Sequence, residues 1–276
     1  SDNKTIVLSL IKDKLVIKQD QSKFSLQTLP ADDFPLLNIK DEKKFQFTLK
    51  SDEIKALLDS VSFSMAIQDV RYYLNGLFLQ ASGMELVAVT TDGHRLCFNK
   101  ILISSLKESS ESLSCIVPRK AVIELQNILS SERDINIEIC IHSNYAEISL
   151  PGKKLISKLI EGNYPDYQKV IPNDSKYQVI FNKKEFLEKL TRVSILTSDK
   201  YRGIRISLNG ETAVLQSTNS DQEEATERII TEEGKGELDI GFNVTYLIEV
   251  LNNMNAEKVG FSFSDSQSSA VISNFE

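Results

Sequence analysis

The chain has 276 residues, 41% of them hydrophobic, a formal net charge of −7 and three cysteines. That length predicts two domains with part of another, each with enough apolar residues for its own core. No apolar run approaches the roughly 20 residues of a membrane-spanning helix, and no signal peptide is expected in the polar opening residues. The acidic balance argues against a nonspecific nucleic-acid coat, but leaves room for a basic surface on an acidic body.

In chain order, residues 6–29 read as β structure. Ile6, Leu8 and Leu10 alternate, Lys12-Asp13-Lys14 turns, Leu15-Val16-Ile17 returns, and Phe24-Ser25-Leu26 forms a third short strand. Residues 30–35 (PADDFP) are a breaker-rich linker. A strand follows over Phe45–Leu49, then a helix with Ser51 as N-cap and Asp52 and Glu53 in the first turn. Ile54, Leu57, Leu58 and Val61 form its apolar face. Leu77–Leu79 and Leu86–Val89 make a hairpin. Pro118 opens a second helix with Val122, Leu125 and Leu129 inward. Ile135, Ile137, Ile139 and Ile141 alternate as a half-buried strand, which returns through Ala146, Ile148 and Leu150 after a turn at His142-Ser143-Asn144.

From Tyr177 the order repeats. Phe186, Leu190 and Val193 answer Ile54, Leu58 and Val61 at a separation of 132, and Gly203 and Gly210 answer Gly76 and Gly83 at 127. Val244–Met254 answers Arg119–Leu129 at 125, and Val259, Phe261 and Phe263 alternate like the isoleucine strand. Leu29 and Pro35 answer Leu159 and Pro165 at 130, as the tail of an earlier copy would. A repeat of this length has domain size. It places the hairpin turns at Ser82-Gly83 and Asn209-Gly210 rather than at Asn75-Gly76. The offset drops by five between Phe63 and Gly76, so copy two carries five extra residues in the segment holding Gln68–Tyr73. Either this loop has a task beyond the fold or it is a longer solvated loop with tyrosines packed at its base.

Cys97, Cys115 and Cys140 lack a CxxC spacing and are expected as thiols in a reducing cytoplasm, not as bridges or metal ligands. A hydrolase or metal enzyme would have to use Asp92 and His94, yet no second ligand stands at a helical spacing and no GxSxG elbow occurs. No glycine-rich phosphate cradle occurs either, so no cofactor is expected. The helix after Asn182 carries Lys183, Lys184, Lys189 and Arg192 opposite its apolar face, with Glu185 and Lys189 paired at i, i+4. Such a face is suited to phosphates, or is an ordinary solvated one.

QDVRYYLNG (68–76), TTDGHRL (90–96), IVPRKAVIEL (116–125), EGNYPDY (161–167), KYRGIRI (200–206), QEEA (222–225) and IGFNVTYLIEVLN (240–252) together resemble the bacterial DNA polymerase III beta subunits, the sliding-clamp family. The resemblance runs in order along nearly the whole chain. It implies an α+β fold of repeated clamp domains, each with two helices packed on antiparallel sheets. Residues 1–35 would be the C-terminal remnant of the first domain, 45–168 the complete central domain, and 177–276 the C-terminal domain without its last strand. With most of the first domain missing, dimerisation is expected to be weakened.

The family's function would then be that of a non-catalytic processivity factor: a cytoplasmic homodimeric ring around double-stranded DNA, with no membrane role. It would tether the replicative polymerase alpha subunit, the clamp loader and other clamp-binding peptides. By matching position, the partner-peptide pocket would use Leu74, Thr91, Gly93, His94, Arg95, Leu96, Pro165, Lys169, Val170, Tyr201 and Ser269. DNA contacts would fall on Gln68, Tyr72, Tyr73 and Lys120. The ring seam would set Phe24 and Leu26 against Ile195 and Leu196 of the other subunit.

Overall fold

The computed structural model describes residues 5–34, 43–103, 112–172, 175–198, 200–234 and 237–275. The chain divides into two compact units, residues 1–40 and 41–276. Pro35, the end of the expected linker, lies outside the described residues.

The first unit is a three-stranded antiparallel meander of β1 (Val7–Ile11), β2 (Lys14–Gln19) and β3 (Ser22–Gln27). Its turns pass through Lys12 and Asp20, both at positive φ. Leu8 pairs with Ile17 and Ile17 with Phe24, while Leu10 pairs with Leu15 and Leu15 with Leu26. The period of two thus gathers these six apolar side chains on one face. Val16, on the other face, is the one buried apolar residue among the described residues of this unit. Residues 31–33 of the expected linker form a single 3-10 turn.

The second unit contains β4 (Lys43–Lys50), α1 (Ser51–Val61), β5 (Gly76–Ser82), β6 (Glu85–Thr91), β7 (Leu96–Leu102), β8 (Leu113–Pro118), α2 (Arg119–Leu129), β9 (Asn136–His142), β10 (Tyr145–Leu150) and β11 (Lys153–Lys158). It continues with β12 (Tyr177–Asn182), α3 (Lys183–Val193), β13 (Gly203–Asn209), β14 (Thr212–Thr218), β15 (Glu224–Ile230), β16 (Glu233–Gly234), β17 (Glu237–Asn243), α4 (Val244–Asn253), β18 (Lys258–Phe263) and β19 (Val271–Phe275). Sheet order is β7-β6-β5-β8 in the first half and β15-β14-β13-β17 in the second, so these two sheets have the same topology. The remaining sheets run β11-β10-β9-β4 and β16-β12-β18-β19. All ladders are antiparallel, which gives the α+β class expected from the sequence.

Each half closes over its own core. In the first, Phe47, Leu77, Leu86 and Ile139 from the strands meet Ile54, Leu58, Val122 and Leu129 from α1 and α2. In the second, Val179, Ile206, Leu215 and Phe261 meet Phe186, Leu190, Leu247 and Leu251 from α3 and α4.

The repeat extends to the groups at the helix ends, whose backbone donors and acceptors must find partners. Ser51 N–H donates to Ile135 O and Lys183 N–H to Glu257 O, both at 2.9 Å. Arg119 N–H donates to Asn75 O at 3.0 Å and Val244 N–H to Arg202 O at 2.8 Å. At the far end of the first helix in each half, a strand hydroxyl caps the last carbonyl. Thr90 Oγ1 donates to Val61 O, and Ser217 Oγ donates to Val193 O.

Three local expectations shift by one residue. Ser51 is the first helical residue, not the cap: its Oγ accepts from Ile135 N–H at 3.2 Å, which commits it to the residue just ahead of β9. Lys50 takes the cap position, and its N–H donates to Glu53 Oε2 at 2.9 Å. Pro118 likewise caps α2, which starts at Arg119. The hairpin turns sit at Gly83-Met84 and Gly210-Glu211, with the glycines at φ +57 and +61. A two-residue turn of the primed type needs that sign of φ at its first position. Gly76 is in strand β5, where a Cβ would lie 2.7 Å from Val117 O.

Candidate functional site

The loop between β6 and β7, residues 91–96, is built around one carboxylate. Asp92 Oδ1 accepts from His94 N–H at 2.9 Å and Arg95 N–H at 3.1 Å, and Oδ2 accepts from Arg95 Nε at 3.1 Å. Thr91 Oγ1 accepts from Gly93 N–H at 3.0 Å and donates to Arg95 O at 2.6 Å. The reading of Asp92 and His94 as a hydrolytic or metal pair has no support here. Asp92 is committed to closing its own turn, and the His94 ring stacks on Tyr246 at 6.4 Å. Among the described residues, no group of three or more His, Cys, Asp or Glu could hold a metal ion.

Arg95 is the most heavily engaged side chain of the loop. Its Nη2 donates to Phe63 O at 3.2 Å, and its guanidinium lies 4.5 Å from the Tyr246 ring and 5.5 Å from the Phe63 ring. Nη1 stands 2.5 Å from Glu249 Oε2, an ion pair by distance though not a well-angled hydrogen bond. Tyr246 and Glu249 lie three apart on α4, so the same helix face meets the loop twice. Sequence reasoning missed this pair because more than 150 residues separate Arg95 from Glu249. Only the i, i+3 spacing on α4 hinted at a shared face.

The copy-two insertion joins the same loop. Residues 65–75 occupy the place of 197–202 in the second half. They hold a turn at Tyr72–Leu74 and a left-handed residue at Gln68, φ +55. Asn75 fixes the turn by accepting from Asp69 N–H at 2.9 Å and donating to Asp69 O at 2.8 Å. Arg71 grips Asp69 in a bidentate pair, Nε to Oδ1 at 3.0 Å and Nη2 to Oδ2 at 2.8 Å. That guanidinium, with the Arg71 N–H bond to Asp69 Oδ1, holds the Asp69 carboxyl down at about 2 from its usual 3.8. Arg71 Nη2 also donates to Asp92 O at 3.2 Å. The two polar loops are thereby tied together.

The outer face of sheet β7-β6-β5-β8 bears a third apolar cluster. Val87, Val89 and Tyr167 are buried there, with Phe78, Leu96, Tyr164 and Ile171 partly buried against them. Phe78 stacks on Tyr164 at 4.8 Å, and Phe98 on Tyr167 at 5.8 Å. Burial pushes the Tyr164 phenol up. Tyr164, Tyr167 and Ile171 of the 159–172 connector therefore lie on the sheet in the same cluster as Leu96.

Of the expected pocket residues, the structure brings Thr91, Gly93, His94, Arg95 and Leu96 together on the loop. Pro165, Lys169 and Val170 are exposed on the connector, with Lys169 Nζ 3.0 Å from Asp166. Tyr201, 68% exposed, precedes β13, and Ser269 is exposed ahead of β19. Leu74 is only 2% exposed, so it underlies the surface instead of forming an open wall. Arg95 is also turned inward, 18% exposed at its side chain.

Of the expected DNA contacts, Gln68, Tyr72 and Lys120 are exposed, and Tyr73 meets Tyr72 edge-on at 5.8 Å. The basic face of α3 is largely spent inside the protein. Lys183 Nζ donates to Met254 O at 2.7 Å, and Lys189 to Arg228 O and Glu185. Arg192 pairs with Glu227 at 2.6 Å, while Lys184 is exposed. The Glu185–Lys189 pair stands as expected, at 2.7 Å. Phe24 and Ile195 are 61% and 75% exposed, and Leu26 is half exposed.

Comparison with known proteins decides the family. The sequence profile of the DNA polymerase III beta subunit central domain matches residues 48–166, and that of its C-terminal domain matches 168–276. The chain belongs to the beta sliding clamp family. It is 39% identical to the beta sliding clamp of Pseudomonas aeruginosa over 259 residues, covering 94% of this chain and 70% of that one. It is 37% identical to the beta sliding clamp of Escherichia coli over 268 residues, covering 97% and 72%. The crystal structure of the P. aeruginosa DNA polymerase III subunit beta superposes with a TM-score of 0.94 at 36% identity, covering all of this chain and 75% of that one. A second P. aeruginosa clamp structure, bound to griselimycin, superposes at 0.93 with 36% identity, covering all of this chain and 74% of that one. The repeated helix–sheet halves are thus clamp domains.

Proposed function

We propose that the protein is a processivity factor of DNA replication that encircles duplex DNA and tethers the replicative polymerase alpha subunit, the clamp loader and other partners by a short peptide. It has no catalysis of its own and works in the cytoplasm. The observation that carries the partner site is apolar surface left open beside a braced loop. Leu96 is only partly covered by the outer-face cluster, Val170 is 55% exposed and Tyr201 68% exposed. The griselimycin-bound relative supports this, since a clamp of closely similar structure takes up a ligand. Leu96 and Val170 receive apolar anchors of the peptide, and Thr91, Gly93, His94, Pro165, Lys169, Tyr201 and Ser269 line the groove. Leu74 serves as its floor.

Domain limits follow the two cores: a central domain over 45–168 and a C-terminal domain from 177. Gln68, Tyr72, Tyr73 and Lys120 face the DNA. The ring is a homodimer, with Phe24 and Leu26 of one subunit against Ile195 and Leu196 of the other. Exposure of Phe24, Leu26 and Ile195, with Leu196 half-buried beside Ile195, supports the seam, since such surface is usually covered in the working assembly.

A fully buried apolar anchor contributes roughly 1.5–3 kcal/mol. Leu96→Asp is therefore expected to weaken a peptide from the alpha-subunit tail at least tenfold by titration calorimetry, with the thermal melt nearly unchanged. Unaltered affinity would remove Leu96 from the site.

A further inference from the structure

We propose that Arg95 is a positioning residue that fastens the 91–96 loop of the central half to α4 of the C-terminal half, and so sets the partner groove without touching the partner. The inference rests on the groove proposed above. All three guanidinium nitrogens are already engaged, by Asp92, Phe63 O and Glu249, and Tyr246 lies against the group. The side chain is only 18% exposed and Nη1 is fully buried, so the group is turned into the junction and away from a ligand. What it does instead is join two elements from different repeats. The planar fork makes that possible, because a lysine's single point charge cannot meet three partners in fixed directions.

The second half of the chain supplies an internal control. Its loop at the same place, Thr218 to Gln222, is closed by Asn219, whose Oδ1 accepts from Asp221 N–H at 3.0 Å and Glu223 N–H at 2.9 Å. Asn219 thus stands for Asp92, and Gln222, exposed, stands for Arg95. The turn folds without an arginine. In the first half, where the loop meets α4 of the following repeat, the arginine is present and turned inward. Its task is therefore the junction between halves and not the turn itself.

The test is a double-mutant cycle on the complete chain: Arg95→Gln, which copies the second repeat, Glu249→Gln, and both together. The probe is a fluorescein-labelled peptide from the tail of a bacterial replicative polymerase alpha subunit, read by anisotropy, with Leu96→Asp as the control. Arg95→Gln is expected to weaken the peptide about tenfold, Glu249→Gln by part of that, and the double variant no more than Arg95→Gln alone, because partners in one junction are not additive. Glu249 lies on α4 outside the groove residues, so an affinity change there is not a lost contact. If Glu249→Gln leaves affinity unchanged while Arg95→Gln weakens it, or if the two effects add, Arg95 acts by direct contact and the proposal is overturned. Should Arg95→Gln fail to fold, Glu249→Gln decides alone, since the Glu249 side chain is 40% exposed, lies outside the apolar core and is replaced by a residue of the same shape. If Leu96→Asp has no effect, the groove reading falls and this proposal with it. An effect of Leu96→Asp with none from either junction variant overturns the positioning role only.

Discussion

At Gly93 the backbone turns at φ +88, and a Cβ there would lie 2.7 Å from Arg71 Nη2 and 2.8 Å from Nη1. The equivalent position of the second repeat, which lacks the five-residue insertion, is Ser220. The positive φ favours glycine, and a Cβ would also have to push aside the Arg71 guanidinium, the end of a flexible side chain. Gly93→Ala is expected to cost about 1–3 kcal/mol in chemical denaturation. In an Arg71→Ala background the cost should shrink to the part due to φ. Equal costs in both backgrounds would show that the guanidinium is no obstacle. The same arginine sets a pH dependence. Asp69 titrates at about 2 in the folded chain, below its usual 3.8. A depressed carboxyl contributes stability that is present above the unfolded value and lost as pH falls through the folded one. The difference in melting temperature between the wild type and Asp69→Asn should therefore be constant above about pH 4 and close between about pH 4 and 2. A difference that persists unchanged at pH 2 would contradict the pairing.

Helix α2 offers the sharpest contrast at the scale of elements. Leu129 is fully buried in the first core, while Ile123 on the same helix is 41% exposed. Leu129→Ala should cost about 2–5 kcal/mol, through lost transfer energy and the cavity left behind. Ile123→Ala should stay within about 0.5 kcal/mol. Comparable losses would mean that the helix presents a different face. Legibility in the sequence follows the same line. The apolar faces of α1 and α2, and the alternation over Ile135–Ile141, could be read because local period alone fixes which side chains are buried. The repeat was legible because two halves with the same hydrogen-bonding needs keep the same spacing. The Ser51 cap is displaced by one residue because its hydroxyl is used by Ile135, a partner more than 80 residues away. The α3 cations read as a free face because Glu227, Arg228 and Met254, which occupy them, are far along the chain. The Arg95–Glu249 pair has no local signature for the same reason. The QDVRYY and TDGHR stretches stand out in the sequence separately, but the Arg71–Asp92 bond that unites them has no local signature.

Across the whole molecule, two clamp halves with separate cores carry the same helix–strand ties, while the copy-two insertion and the Arg95 junction break the symmetry. Both departures lie around one loop, which is where the proposed groove is built. At the proposed seam, Leu196→Asp should lower the dimer's stability by placing a charge in an apolar contact. An unchanged dimer mass in sedimentation would move the seam elsewhere. The duplex contacts proposed for Lys120 and Lys184 would reach phosphates only, so binding should be independent of sequence and fall steeply with salt. The acidic remainder of the surface keeps DNA from adhering outside. Contacts this weak release at every step, as sliding requires, and persistence must then come from enclosure. The most direct test is the lifetime of the assembled ring, placed by a clamp loader on a nicked circle, before and after the circle is linearised. Long retention on the circle and rapid loss from the linear form is the result this account predicts, and equal rates of loss from both would contradict it.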